Sequence, residues 1–401
     1  MARAESTGPG GPPPDARLRG FADRVPLERA VEWVDRTAKR LASVEIGVAE
    51  AVGRVPAAPI AAPMDLPPLD RVGEDGWAVR AADTVGASAW GPAQLHLQDS
   101  GAPLAPGGAA LVSAGAALPA GADAVVPFDG AEATGASLDV LATVAEGSGV
   151  DRAGRQLRAG APAASADHPL RPHEAALLAA AGIRRLAVVR RPRVRLVVAG
   201  PKATPAAADA HAPMIRALVE RDGGEIEVER GGPLGEAVLR ASVAGADLVV
   251  ATGRSGTGPD DDAAVAIGRA GELAVHGIAL RPGGSAALGT VGGCPVVLLP
   301  GDPLACLCAY ELLAGRFVRR LGGRDPALPH PTREVEVGRK ISSAVGVVEV
   351  CQVRLVEGRV EPLGVAEFGG LASAAGADGF VVVPAAVEGY APGAHVTFHS
   401  Y

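Results

Sequence analysis

The chain has 401 residues, a formal net charge of −7 at neutral pH, and 48% hydrophobic residues although only 3% are aromatic. This length predicts two to four domains with aliphatic cores rather than one large core. The acidic balance disfavours a broad nucleic-acid-binding surface, and no apolar stretch is long enough to cross a membrane. We therefore expect a cytoplasmic protein whose partners include neither a nucleic acid nor a membrane.

The cysteines and histidines lack the spacing that is typical of metal sites and redox motifs. No CxxC pair occurs among the four cysteines and no HExxH pair among the eight histidines. We expect reduced, buried thiols at Cys294, Cys306, Cys308 and Cys351, and a zinc site is disfavoured.

The amino-terminal part opens with a segment that predicts no regular structure. Residues 1–20 are rich in glycine and proline and lack an apolar signal core, which indicates a disordered lead-in. Pro26 then sets the backbone for an amphipathic helix, whose apolar stripe runs from Leu27 to Leu41. This stripe must be buried against the rest of the chain or against a second copy of it.

A β-rich region follows. The stretch Asp65–Ala82 (DLPPLDRVGEDGWAVRAA) is dense in prolines, acids and glycines and contains the EDGW turn. Residues 90–146 alternate apolar and turn residues, which predicts a small all-β unit. Residues 171–186 predict a helix that stops at Gly182.

Three apolar runs organise the centre of the chain: Val194–Gly200, Ala246–Asp262 and Pro295–Pro303. Each begins as a continuous β-branched run and stops at glycine or proline, which is typical of strands buried on both faces of a parallel sheet. Helical segments at 214–222, 233–245 and 304–321 favour a βαβ pattern. Ligands bind at the carboxyl ends of such strands, here at Gly253–Asp262 and Pro300–Pro303.

The first of these ends is the turn Thr252–Gly258 (TGRSGTG), whose backbone amides could cradle an oxyanion. It matches neither the Walker loop nor the dinucleotide fingerprint, and it could equally be a simple turn. Asp260, Asp261 and Asp262 follow directly. Clustered carboxylates beside an anion cradle suit a divalent cation that bridges to phosphate, although an N-cap for the next helix is the simpler alternative.

The second end is PGDP, at Pro300–Pro303. Asp302 is predicted as the N-cap of a helix and Pro303 as its first residue. A purely structural cap is possible, but a second turn at the same edge of the sheet favours a binding site. Arg281, in the stretch LRPGG, could reach this edge and pair with phosphate.

With these motifs in view, the chain resembles the molybdopterin molybdenumtransferase family, whose relatives include the gephyrin E domain. The resemblance runs from about residue 21 to 400. It depends on several motifs in one order: EDGWAVRAADT, SAGAALPAGADAVV, VDRAGRQLRAG, HAPMIRALV, ADLVVATGRSGTGPDD, LRPGGSAALG, LLPGDPLACLCAYELL and ADGFVVVPAAVEGYAPGAHV.

The resemblance implies an α/β plus β fold in an elongated, multidomain subunit. The expected domains are a discontinuous amino-terminal helical domain (21–65 and 147–189), a β-rich domain (66–146), a central α/β parallel-sheet domain of the molybdopterin-binding type (190–322) and a small carboxy-terminal β-barrel (323–401). A homodimer is implied, in which a cleft forms between the α/β domain and the partner's EDGW turn.

The implied reaction is the insertion of molybdate into adenylated molybdopterin, with release of AMP and assistance from magnesium. Asp75 and Asp261 are then the expected catalytic carboxylates, and Asp261 the metal ligand. The expected substrate-binding residues are Lys202, Gly253, Arg254, Ser255, Gly258, Asp260, Arg281, Pro300, Gly301, Asp302 and Pro303. Other molybdenum-cofactor proteins are candidate partners.

Several positions depart from the family pattern, and they are mostly side chains rather than backbone-shaping residues. Pro201 and Lys202 replace an Asp–Glu pair, Arg254 replaces a glycine, and Gly284 stands where a lysine normally contacts substrate. The other departures are Trp77, Ala114, Gln156, Asp302 and Val347. These changes make the local charge more positive, which disfavours magnesium but not phosphate. The alternative function is a catalytically degenerate paralogue that binds the pterin nucleotide, or a partner protein as a scaffold.

Overall fold

The structure is a computed structural model that describes residues 15–198, 209–230, 234–363 and 366–401. The chain forms two compact units. The first joins the chain up to Val44 with Val189–Tyr401, and the second comprises Glu45–Val188. Each unit is considered by itself below.

Within the described residues the helices alternate with strands mainly in the first unit. They are α1 (Leu27–Thr37), α2 (Pro172–Ala180), α3 (His211–Arg221), α4 (Leu234–Val243), α5 (Ala263–Ala270), α6 (Pro303–Ala309), α7 (Gly315–Leu321) and α8 (Ala366–Ala375).

In the described parts of the chain, similar numbers of strands are found up to Val189 and beyond it. Up to Val189 they are β1 (Ser43–Gly47), β2 (Ile60–Ala61), β3 (Arg71–Val72), β4 (Gly76–Val79), β5 (Ala93–Gln98), β6 (Gly108–Val112), β7 (Ala124–Pro127), β8 (Ala131–Thr134), β9 (Ser137–Val140), β10 (Val150–Asp151), β11 (Pro162–Ala164) and β12 (Arg185–Val189). Beyond it they are β13 (Arg193–Val198), β14 (Glu225–Arg230), β15 (Leu248–Thr252), β16 (Glu272–His276), β17 (Leu280–Arg281), β18 (Ala287–Val291), β19 (Cys294–Leu299), β20 (Thr332–Glu336), β21 (Ile341–Ser342), β22 (Val348–Val356), β23 (Arg359–Pro362), β24 (Gly379–Val383), β25 (Gly389–Tyr390) and β26 (His395–Ser400).

The main sheet of the first unit has the order β14-β13-β15-β19-β18-β16. The three predicted apolar runs form β13, β15 and β19, and these strands are parallel, as expected. The sheet is mixed rather than parallel throughout, because β18 runs antiparallel to both β19 and β16. The cause is a two-residue hairpin turn at Gly292 and Gly293, which have φ of 59° and 80°. Positive φ at both positions produces the tight turn that joins antiparallel strands.

The central strand β15 explains why its sequence is continuously apolar. All five residues of Leu248–Thr252 are buried. Leu248 and Val250 belong to one core cluster, while Val249 and Ala251 belong to the cluster on the opposite face. A strand covered on both faces has no solvent side, so the polar alternation of a surface strand is lost.

The chain order around β13 creates a switch point in the sheet. The connection from β13 leads to β14 on one side, and the next strand, β15, returns to the other side of β13. Connections that leave in opposite directions open a crevice at the carboxyl ends of the two strands. The structure therefore favours the end of β15 as a ligand site on topology alone.

A long helical stretch packs against one face of this sheet and contains an unpredicted π-helical segment. α6 and α7 are joined by the π-helix Tyr310–Ala314, so the predicted helix 304–321 is continuous but irregular. Leu313 and Phe317 are fully buried, as predicted, whereas Leu307 is half-buried.

The same stretch carries a buried ionic cluster. Asp222, which is fully buried, accepts a hydrogen bond from the Tyr310 hydroxyl at 3.1 Å and contacts Arg319 Nη1 at 3.1 Å. Arg221 donates to Asp222 and to Glu311, at 2.7 Å for the latter. The cluster ties α3 to the long helix, and breaking such a cluster leaves buried charge uncompensated.

The carboxy-terminal strands form a sheet of order β17-β22-β24-β26-β20, with β23 on β22. A bridge between Val337 and Val360 brings the chain after β20 next to β23. The side chains enclosed by these strands form a separate core that includes Val353, Val381 and Phe398.

The second unit is organised by a sheet of order β7-β4-β6-β5-β9-β8. β4 lies inside this sheet, and its first two residues are the last two of the EDGW stretch. A Cβ at Gly76 would collide with the carbonyl oxygen of Val126. The helix predicted at 171–186 is shorter and comprises α2, and Gly182 adopts φ of 85° just beyond it, as expected. The five-part domain division remains a prediction.

The four cysteines are free and buried, as expected. Burial raises the pKa of the Cys294 thiol to about 11 and that of Cys351 to about 12, so both are neutral near pH 7. In the part of the chain that the structure describes, no helix has the length and apolar character needed to span a bilayer.

We predict that Gly315→Ala destabilises the protein, although glycine-to-alanine changes inside helices usually stabilise by about 1 kcal/mol. A Cβ at Gly315 would lie 2.7 Å from Asp222 Oδ2 and 2.9 Å from Arg319 Nη1, so overpacking should cost about 1–3 kcal/mol. The matched control is Gly268→Ala in α5, where the nearest atom would be Leu273 Cβ at 3.6 Å. The midpoint of urea unfolding should fall for Gly315→Ala and rise for Gly268→Ala. Equal shifts would contradict the packing described here.

Candidate functional site

The two glycine-containing ends of β15 and β19 touch each other at the carboxyl edge of the main sheet. The Gly253 amide donates to the Leu299 carbonyl at 3.1 Å. A Cβ at Gly301 would lie 3.3 Å from Gly253 Cα, so the two backbones pack with almost no space between them. Gly253 also has φ of 89°, which favours glycine. The sequence prediction that both turns share one edge is consistent with this geometry.

The glycine-rich turn is closed by one of its own aspartates. Asp261 Oδ2 accepts a hydrogen bond from the Gly258 amide at 2.7 Å. A Cβ at Gly256 would lie 2.7 Å from the same oxygen, so this position favours glycine as long as Asp261 folds back. One carboxylate oxygen of Asp261 is therefore used within the turn.

Arg254 holds the same turn from its other side. Its φ of 55° lies in the left-handed region, which explains why the family pattern has glycine there. Its Nε donates to the Asp260 carbonyl at 2.7 Å and pairs with Asp262 Oδ1 at 3.1 Å. The carboxylates of Asp261 and Asp262 thus have different partners, the Gly258 amide and Arg254, rather than converging on one point.

The PGDP turn begins the long helix as predicted. Asp302 is the N-cap, and its side chain accepts from the Ala305 amide at 2.8 Å, with Pro303 as the first helical residue. This confirms the capping prediction. The other backbone amides of the first turn have no partner within the helix.

A buried hydroxyl pair and an unpartnered hydroxyl lie beside these turns. Ser255 is 2% exposed, and its Oγ lies 2.9 Å from Ser285 Oγ. Thr252, the last residue of β15, is fully buried, and its Oγ1 finds no hydrogen-bond partner among the described residues. A buried polar atom without a partner is costly, and a bound ligand can supply the missing partner.

Another polar group at this edge was missed by sequence reasoning. Asp209 Oδ1 accepts from the His211 amide at 2.8 Å at the start of α3, and Arg230 Nη1 lies 3.0 Å from Asp209 Oδ2. His211 Nε2 is buried and has no partner in the described chain. An aspartate two residues before an apolar helix was an available capping signal.

The remaining predicted phosphate-binding side chains are those of Arg281 and Lys202. Arg281 forms an ion pair with Glu349, which is 4% exposed and lies in β22. Its guanidinium therefore already has a carboxylate partner in the carboxy-terminal sheet. Lys202 lies outside the described residues.

The second predicted catalytic carboxylate belongs to the other unit. Asp75 is exposed between β3 and β4, and its Oδ1 accepts from the Ala114 amide at 2.8 Å. Trp77, two residues later, packs edge-on against Phe128 with ring centroids 6.1 Å apart. Asp75 Oδ2 makes no hydrogen bond within the part of the chain that is described.

The described residues do not form a resident magnesium site. No group of three or more His, Cys, Asp or Glu side chains in the searched ranges could hold a metal ion. Asp261 is bound to Gly258 and Asp262 to Arg254. A hard cation that prefers six oxygen ligands would find no preformed cluster of carboxylates here, so a phosphate ligand and water would have to supply most of its ligands.

The amino-terminal segment also contacts the glycine-rich turn, which the sequence did not predict. The Leu18 amide donates to the Thr257 carbonyl at 2.8 Å. Phe21 packs edge-on against His276 at 4.9 Å. His276 Nε2 in turn donates to the Ser255 carbonyl at 3.0 Å.

The arrangement is that of an α/β domain with two backbone turns at a switch point of its sheet, inside a longer multidomain chain. Family models match almost all of it: "MoeA N-terminal region (domain I and II)" over residues 25–182, "Probable molybdopterin binding domain" over 196–320 and "MoeA C-terminal region (domain IV)" over 334–401.

Solved and curated relatives agree with these matches. A molybdopterin biosynthesis MoeA protein from Pyrococcus horikoshii has a TM-score of 0.77 and 30% identity, covering 94% of this chain and 99% of that one. Molybdopterin molybdenumtransferase 2 of Mycobacterium tuberculosis is 28% identical over 314 residues, 72% of this chain and 77% of its own. The chain belongs to the MoeA family of molybdenum-cofactor biosynthesis proteins.

We predict that low pH destabilises the folded protein, because His276, which bonds the glycine-rich turn, becomes protonated. Burial lowers the pKa of His276 from its usual value of 6.5, so the unfolded chain takes up this proton more readily than the folded one. The contribution to stability is complete above pH 6.5 and is lost as the pH falls from there through the folded pKa.

The variant His276→Gln cannot titrate, and its amide can still donate to the Ser255 carbonyl. Denaturant unfolding of both proteins between about pH 7.5 and about pH 5.5 should therefore show that the free energy of unfolding falls more steeply with decreasing pH for the natural chain. Parallel curves would remove His276 from the acid response.

Proposed function

We propose that this protein inserts molybdate into adenylated molybdopterin and releases AMP, and that the site lies at the carboxyl edge of the main sheet. The observation that carries the proposal is the contact between the Gly253 and Gly301 backbones beside the unpartnered Thr252 hydroxyl. Backbone amides at such corners bind phosphate oxygens without a charged side chain.

The residues proposed for substrate binding are those that shape or line the two turns. They are Gly253, Arg254, Ser255, Gly258, Asp260, Pro300, Gly301, Asp302 and Pro303, together with Lys202 and Arg281. In this proposal Arg254 and Asp302 act by fixing backbone, because their side chains are already bonded to neighbouring residues. Arg281 could contact substrate only by sharing its guanidinium with Glu349.

The proposed catalytic carboxylates are Asp261 and Asp75. Each already accepts one backbone hydrogen bond, which fixes its orientation and leaves its second oxygen for substrate or solvent. Asp75 would come from the partner subunit of a homodimer. Cleavage of a phosphoanhydride needs its developing negative charge stabilised, and the amides of the two turns supply fixed dipoles for this.

Magnesium is expected to enter with the substrate phosphates, because the described residues offer no complete site of their own. Bound in that way, it would neutralise charge on the phosphates. No other part of the proposal depends on it.

We predict that the purified protein releases AMP from adenylated molybdopterin in the presence of molybdate and magnesium. Asp75→Asn and Asp261→Asn should each lower the rate by about 100-fold, a typical loss for a group that acts at the reacting centre. Asp129→Asn is the matched control, because Asp129 is exposed, lies outside both turns, and its carboxylate makes no hydrogen bond or ion pair among the described residues.

The outcomes separate the two candidate functions. Unchanged rates in both variants would remove these aspartates from the mechanism. Binding of the pterin nucleotide without AMP release would instead support the catalytically degenerate paralogue, which the inward pairing of Arg254 and Arg281 favours.

A further inference from the structure

The cationic side chains around the glycine-rich turn differ in whether they are already paired. Arg254 pairs with Asp262, Arg281 with Glu349 and Arg17 with Asp15. A paired guanidinium has already lost much of its capacity to attract a further anion. These three arginines are therefore poorly suited to hold a phosphate.

Arg24 differs from these three arginines. Its guanidinium makes one long hydrogen bond, from Nη1 to the Ile278 carbonyl at 3.4 Å, and pairs with no described carboxylate. The residue is exposed, so its remaining N–H donors face solvent. It keeps a full charge and open donors at the side of the turn.

The position of Arg24 is fixed by its neighbours rather than left free. Its guanidinium carbon lies 5.3 Å from the centre of the Phe21 ring, in a cation–π arrangement. The Val25 amide donates to the Gly277 carbonyl at 2.9 Å, and the Ala279 amide returns a bond to Val25 at 2.8 Å. These hydrogen bonds hold the backbone next to Arg24 against residues 277–279, which follow β16.

The absence of a side chain at Gly284 makes room for this arginine. A Cβ at Gly284 would collide with Arg24 Nη1. The next residue, Ser285, is the hydroxyl partner of Ser255 in the glycine-rich turn. Arg24 Nη1 therefore lies against Gly284, the chain neighbour of Ser285, although 260 positions separate residues 24 and 284 in the chain.

We propose that Arg24 binds a phosphate of the substrate at this site, so that the amino-terminal segment supplies an unpaired cation through the gap at Gly284. The inference rests on the proposed function, since it assigns a phosphate-bearing ligand to the same edge. A guanidinium presents several N–H donors in one plane, a geometry that matches phosphate oxygens.

The test uses the full chain and adenosine 5′-diphosphate, which carries the same phosphoanhydride linkage as an adenylated ligand. Calorimetric titration should give Arg24→Gln a dissociation constant about tenfold weaker than that of the natural chain. Glutamine is polar and keeps an N–H donor, but it has no charge and a shorter side chain. Arg24→Lys should recover a large part of the loss, because it restores the charge.

Arg36→Gln is the matched control, since it makes the same change at an exposed arginine in the last turn of α1. Its affinity should stay within about twofold of the natural chain, because an exposed charge away from the ligand is largely screened. The difference between Arg24→Gln and the natural chain should also shrink as the salt concentration rises from about 0.05 M to about 0.5 M.

The outcomes that would overturn the inference are distinct from failure of the proposed function. Equal affinity of Arg24→Gln and the natural chain would remove Arg24 from the site, and tighter binding would mean that the segment competes with the ligand. In both cases the natural chain still binds the nucleotide. Failure of the natural chain to bind adenosine 5′-diphosphate at all would overturn the nucleotide site and this inference together.

Discussion

The close approach of the Gly253 and Gly301 backbones is the constraint on which the rest of the site depends. The two turns leave neighbouring parallel strands, and a side chain at residue 301 would meet Gly253 Cα at 3.3 Å. Because the backbones touch, their amides form one continuous rim rather than two separate turns. Such a rim is shaped mainly by strand pairing and by the missing side chains, so it tolerates changes in the charged residues around it.

This separation between backbone and side chains explains how the substitutions of this chain can coexist with an intact site geometry. Arg254 occupies a left-handed position and binds Asp262 within its own turn. Asp302 caps its helix through the Ala305 amide. Gly284 leaves a gap that an arginine from the amino-terminal segment enters. In each case the change is accommodated locally, by an ion pair, a cap or an entering side chain, and the Gly253 and Gly301 backbones remain in contact.

The parts of the structure that depend on local sequence were predictable. The apolar runs of β13, β15 and β19, the N-cap at Asp302 and the glycine after α2 each follow from residues that are adjacent in the chain. The antiparallel strand β18 was predictable as well, since Gly292–Gly293 is a hairpin signal, but the pattern of the neighbouring strands favoured a parallel sheet. The pairs Arg281–Glu349 and Arg24–Gly284 could not be predicted, because each joins segments that only the tertiary fold brings together. The inward turn of Asp261 depends on loop conformation, which residue spacing does not fix.

The central claim is that main-chain amides at these two corners hold the phosphates of the ligand. A crystal structure of the protein with a bound adenylated pterin, or with an adenosine nucleotide in its place, tests the claim most directly. The account predicts phosphate oxygens within hydrogen-bonding distance of amides in both Gly253–Gly258 and the first turn of α6. A ligand whose phosphates lie elsewhere, with both corners left to solvent, would contradict it.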